Sequence, residues 1–132
     1  MWRALILVLD DLGRPAQPGD WYDWAASQLG HAMIGAVGAG AALLAGAPVA
    51  WALAGVVLAY AAKEAADLMR APGWRIARDS LHDTAFVASG AVLAAGLHGG
   101  RPWLFALAVG AGLAGLLAGV LPRARAALRG GR

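Results

Sequence analysis

The sequence predicts an all-α protein, a polytopic transmembrane helical bundle of about four transmembrane helices, on three observations. Apolar residues fill 60% of the 132 positions and charged residues only 14%, where a soluble domain carries roughly a quarter charged. The apolar residues come in runs near the ~20 that span hydrocarbon, not in amphipathic periods. The basic residues flank those runs, as orientation signals do. Mean hydropathy is +0.59; with 19 glycines among its apolar runs the chain is rich in small residues, which let helices approach closely in lipid.

Residues 1–24 read as an N-terminal cytoplasmic or interfacial segment. Met1 to Leu9 is too short an apolar run to cross, and no small-residue cleavage site precedes Asp10 and Asp11, so a cleaved signal peptide is not expected. Gly13 to Gly19 holds Pro15 and Pro18 and reads as a loop. Trp21, Tyr22 and Trp24 then stand where an interfacial aromatic belt would lie.

The first crossing runs from about Ala25 to Ala47, polar only at Ser27, Gln28 and His31. Pro48 suits the first turn of a second crossing, which runs to about Leu68 or Met69 and carries Lys63, Glu64 and Asp67 near its end. Arg70 to Arg78, with Pro72, Gly73 and three arginines, reads as a loop. A third helix is expected from about Asp79, with Asp79 and Ser80 as N-caps, apolar from Thr84 to Leu97. His98 to Pro102 forms a turn. The fourth crossing, Trp103 to Leu121, has no ionisable residue, and Pro122 closes it. Residues 25–122 are thus the transmembrane domain and residues 123–132 a basic cytoplasmic tail.

Charge then sets the topology. Of the 11 Lys and Arg, all but Arg101 fall in the N-terminal segment, the middle loop with its flanking Lys63, or the C-terminal tail. Four crossings put those regions on one side, and the positive-inside rule makes that side the cytoplasm, with both termini inside. A net charge of +3 and a pI near 10.2 therefore point to anionic lipid headgroups as partners and not to nucleic acid. Without cysteine, disulfides, thiolate metal sites and cysteine nucleophiles are excluded.

The acids concentrate the candidate chemistry. Glu64 and Asp67 are three apart at the end of helix two, and Asp79 and Asp83 four apart at the start of helix three, so each pair shares a helical face. His31 lies at a similar depth on helix one, and Lys63 adjoins Glu64. Carboxylates at membrane depth must be paired, metal-bound or in a wet cavity. His31, Glu64, Asp67, Asp79 and Asp83 would suit a divalent metal ion such as Mg²⁺, Mn²⁺ or Zn²⁺, or an acid–base site. The competing reading is an ion-pair network in which Lys63, Arg70, Arg75 and Arg78 neutralise the acids. His82 falls about 100° from the Asp79/Asp83 face and is expected to be a loop-side partner. Gly110, Gly112, Gly115 and Gly119 give helix four a close-packing face, within the chain or in a homo-oligomer or larger membrane complex.

His31, then Lys63-Glu64-Ala65-Ala66-Asp67, then Asp79 and Asp83 leading into Gly90, resembles the pattern of the YfiM/VanZ-like small bacterial or phage membrane proteins. The likeness covers about Gln28 to Ala95. It implies shared polar residues at His31, Lys63, Glu64, Asp67, Asp79 and Asp83, and an envelope-related role, glycopeptide tolerance being associated with the VanZ branch. Where those proteins have an acid shortly before the histidine, this chain has Ser27 and Gln28.

Two functions from different classes follow. One is an inner-membrane protein whose cytoplasmic-side His/Glu/Asp cluster binds a metal or a polar lipid headgroup. The other is a non-enzymatic module, a holin-like pore former or a small structural subunit of a larger membrane complex. Neither composition nor spacing identifies a reaction.

Overall fold

The structure is a computed structural model that describes residues 20–130. It holds four helices, α1 (Trp21–Leu44), α2 (Val49–Arg70), α3 (Trp74–His98) and α4 (Pro102–Gly130), and no strand among the described residues. All four helices are long and apolar enough to cross a membrane. The all-α four-helix architecture expected from the sequence is therefore present. Most of the reading of residues 1–24 lies outside the described residues.

The helix ends follow from local chemistry. Asp20 caps α1, its Oδ1 accepting from the Asp23 backbone N–H at 2.9 Å, so the aromatic segment lies inside the helix. Two glycines in the left-handed region, Gly46 (φ 86°) and Gly100 (φ 57°), close α1 and α3. In each case the glycine N–H and that of the next residue turn back onto the last helical carbonyls, Ala47 to Ala42 O and Arg101 to Gly96 O. The chain then re-enters a helix at Pro48 and Pro102, which need no N–H there.

Two boundaries differ from expectation. Helix α3 begins at Trp74, so Asp79 and Ser80 are interior residues and cap nothing; the Arg70 to Arg78 loop shrinks to Ala71–Gly73. Once past Gly73 no breaker remains, and the arginines there are good helix formers that extend α3 beyond its apolar run. Likewise α4 continues through Pro122 to Gly130, so Arg123, Arg125 and Arg129 are helical. Proline contributes no N–H and crowds the carbonyls one turn back; in that stretch the Arg123 side chain supplies a donor, Nη1 to Gly119 O at 3.1 Å.

Helices α1 and α3 run parallel and form the central pair, with α2 and α4 each packed against both. Their crossing is close because Gly35 faces the Val87 carbonyl and Gly90 faces the Ala32 carbonyl; a Cβ at either glycine would fall on the opposing backbone. Val87, Ala91 and Ala39 are completely covered at this seam. Helix α4 receives aromatic side chains instead. Phe86 rests on Gly115 and Trp24 on Gly119, whereas Gly110 and Gly112 have nothing within 4 Å of an added Cβ. Of the four glycines expected to pack, two do so within this chain.

The outer surface is apolar, with Leu58, Leu107, Leu113 and Leu117 among its exposed side chains, an arrangement that water would penalise and lipid accepts. Exposed tryptophans mark both rims. Trp21 and Trp74 begin α1 and α3 at one end, and Trp51 and Trp103 stand in the first turns of α2 and α4 at the other. Such girdles sit at membrane–water interfaces.

Candidate functional site

The polar residues gather at the end of the bundle where α1 and α3 begin and α2 and α4 finish. Asp83 is the pivot. Its Oδ1 accepts from Gln28 Nε2 at 2.8 Å, and His31 Nδ1 stands 3.2 Å from the same oxygen. Both neighbours come from α1, so one carboxylate ties the parallel central helices. Measured from Trp21 and Trp74, Gln28, His31 and Asp83 lie on the order of 10–15 Å along the helices from the rim, at 1.5 Å per residue. That is membrane depth.

Tyr60 of α2 closes the third side, its ring edge-on to His31 at 5.5 Å between centroids. Gln28 is only 2% exposed. A carboxylate only accepts, so the Gln28 amide must present its NH₂ to Asp83, which leaves Gln28 Oε1 buried without a donor. His31 Nδ1 is close to Asp83 but off the line of a hydrogen bond, and Tyr60 OH has no partner; both are buried. Three buried polar atoms thus lack a hydrogen bond, Gln28 Oε1 and His31 Nδ1 on the residues beside Asp83 and Tyr60 OH on the side of Glu64. In a native interior each such atom costs about 1–3 kcal/mol unless water or a ligand meets it.

Glu64 and Asp67 belong to a different arrangement. Lys63 Nζ lies 2.7 Å from Glu64 Oε1 and 3.1 Å from Asp67 Oδ2, and Arg70 Nη1 lies 2.9 Å from Asp67 Oδ1. This is a ladder of ion pairs along the last turns of α2, so for these two acids the ion-pair network is what forms. Glu64 is its buried member, and Lys63 also stands over the Tyr60 ring at 5.4 Å, linking ladder to centre. Asp79 is exposed on α3 and joins neither group. Among the described residues no three His, Asp or Glu side chains meet closely enough to hold a metal ion.

The opposite face of α3 carries a second polar region. His82 Nδ1 shares a hydrogen bond with Arg78 O at 2.8 Å, and its ring meets Trp24 edge-on. Trp24 is 5% exposed, and the Arg123 guanidinium stacks over it at 4.4 Å. Arg75, Arg78, His82 and Arg123 line one cleft of about 350 Å³ between α3 and α4.

Gln28 and Tyr60 are the site residues that the sequence pattern conceals. A glutamine and a tyrosine inside apolar runs carry no charge signal; only the cost of an amide in lipid singles out Gln28. No family model, curated protein or solved structure matches the chain. Of the polar residues singled out in the sequence, the geometry joins His31 with Asp83 and Lys63 with Glu64 and Asp67.

Proposed function

We propose that this chain is a multi-pass protein of a bacterial inner membrane, with both termini in the cytoplasm, that binds the polar headgroup of an envelope lipid at the centre around Asp83. Orientation is supported by the distribution of Lys and Arg, Arg101 alone among the described residues falling at the opposite end. The resemblance to YfiM/VanZ-like proteins supports the envelope role.

The observation that carries the binding function is the trio of buried polar atoms without a hydrogen bond, Gln28 Oε1, His31 Nδ1 and Tyr60 OH, at one end of the bundle. A hydroxyl-bearing headgroup has the matching chemistry. Its O–H donates to Gln28 Oε1 or to Asp83, and its oxygen accepts from Tyr60 OH or from an imidazole N–H. His31 and Asp83 together form an acid–base pair beside that hydroxyl, and Lys63 keeps the neighbouring Glu64 neutralised.

The test is lipid retention. Protein extracted from bacterial membranes in mild detergent is analysed by mass spectrometry for the lipids it keeps. Tyr60→Phe and Asp83→Asn are each expected to lose one headgroup class while abundance and thermal midpoint stay close to wild type. An unchanged lipid profile with lowered abundance would instead make the centre a structural tie between helices.

A further inference from the structure

We infer that the cleft between α3 and α4 is a separate site for the phosphate of an anionic phospholipid. It is lined by Arg75, Arg78, His82 and Arg123, and no carboxylate contributes to its lining. Among the described residues neither Arg75 nor Arg78 forms an ion pair. Three guanidinium groups brought to one concavity repel one another, and an anion between them removes that cost.

Arg123 is held ready for such a ligand. Its guanidinium is stacked on buried Trp24 and spends Nη1 on Gly119 O, which fixes the plane and leaves further N–H donors for an incoming oxygen. His82 donates its Nδ1–H to the Arg78 carbonyl, which fixes the ring in the wall of the cleft. Gly119 and Ala118 keep the α4 wall low. Asp79, beside Arg78, is the nearest acid and lies outside the lining.

Depth identifies the source of the phosphate. Trp74 marks the rim directly before Arg75, and Arg123 lies twenty residues beyond Trp103 at the opposite rim, about 30 Å along α4 and hence one hydrocarbon thickness. The cleft therefore sits at headgroup level. Deeper in the bundle, where α1, α3 and α4 meet, an apolar groove of about 180 Å³ is lined by Leu29, Ala32, Phe86, Leu93, Gly112 and Leu116; it matches an acyl chain. A free phosphate has no use for that groove. The site is independent of the Asp83 centre, so either can fail alone.

The full-length protein is placed in nanodiscs of phosphatidylcholine with one tenth phosphatidylglycerol, and bound lipid is counted by native mass spectrometry. Wild type is expected to retain phosphatidylglycerol preferentially, and Arg78→Gln/Arg123→Gln to lower that retention about tenfold. Arg125→Gln/Arg129→Gln, which removes the same charge outside the cleft, is expected to leave it unchanged. Equal loss in both pairs would reduce the effect to general surface charge and overturn the site. Displacement of phosphatidylglycerol by millimolar inorganic phosphate would make it a free-phosphate site. A gain of bound lipid in Asp10→Asn/Asp11→Asn would show that the chain's own acidic segment fills the cleft, which also overturns it. Arg78→Lys/Arg123→Lys tests folding and recognition together: retention partly restored supports the site, and none restored at normal thermal midpoint also supports it by requiring the planar guanidinium. Loss of the midpoint in both the Gln and Lys pairs would make the arginines structural.

Discussion

Gly35 of α1 and Gly90 of α3 are reciprocal: each turns its bare Cα toward a backbone carbonyl of the other helix, Val87 for the first and Ala32 for the second. Weak Cα–H···O contacts of this kind, with the packing they permit, replace the hydrophobic effect that helices lack in lipid. Alanine at either position is expected to lower stability by about 1–3 kcal/mol, the range for forced overpacking. Unfolding in mixed detergent, followed by circular dichroism, measures it. A loss below the error of the Gly110→Ala control would contradict the close crossing.

Gln28 and Asp83 should behave as one unit. Asp83→Leu alone leaves the Gln28 amide unpaired, and Gln28→Leu alone deprives a carboxylate at membrane depth of its donor, so each is expected to cost about 1–3 kcal/mol. The double leucine variant should cost less than the sum, with a coupling of about 0.5–3 kcal/mol. Strict additivity in the same unfolding assay would deny the bond.

The glycines of α4 should rank by what they touch. Gly119→Ala drives a methyl into the Trp24 ring, Gly115→Ala meets Phe86 Cζ at 3.1 Å, and Gly110→Ala meets nothing. Thermal midpoints are expected to fall most for Gly119→Ala, less for Gly115→Ala, and not at all for Gly110→Ala. Trp24 fluorescence should shift only in the first.

Lys63→Met should be worse than Arg70→Met. Lys63 neutralises buried Glu64, whereas Arg70 serves only the exposed side of Asp67. Removing the partner of a buried charge is costly and removing that of an exposed one is not. Membrane abundance by immunoblot is expected to drop for Lys63→Met and to hold for Arg70→Met; Glu64→Gln should rescue the former.

Much of this fold was legible because lipid imposes one rule, a run of apolar residues of fixed length, and the runs around Ala25–Ala47 and Trp103–Leu121 obey it. Helix ends that leave the apolar zone escaped that rule. Trp74 to Arg78 and Arg123 to Arg129 are helical by propensity, while their charge resembles a loop. The site was legible in part. Charge drew attention to Glu64, Asp67 and Asp83, but which acids converge depends on rotation about each helix, and that is set by Gly35 against Gly90. Asp79 shares a face with Asp83 by spacing yet lies about one turn closer to the rim, where it is exposed.

The parallel pairing of α1 and α3 also fixes an order of assembly. When the α1–α2 hairpin leaves the insertion machinery, Gln28 and His31 are already at hydrocarbon depth, and the carboxylate that serves them still lies thirteen residues beyond the end of α2 at Arg70. The first hairpin is thus incomplete as a membrane unit. It must stay sheltered by the insertase, or shallow and hydrated, until the third helix arrives.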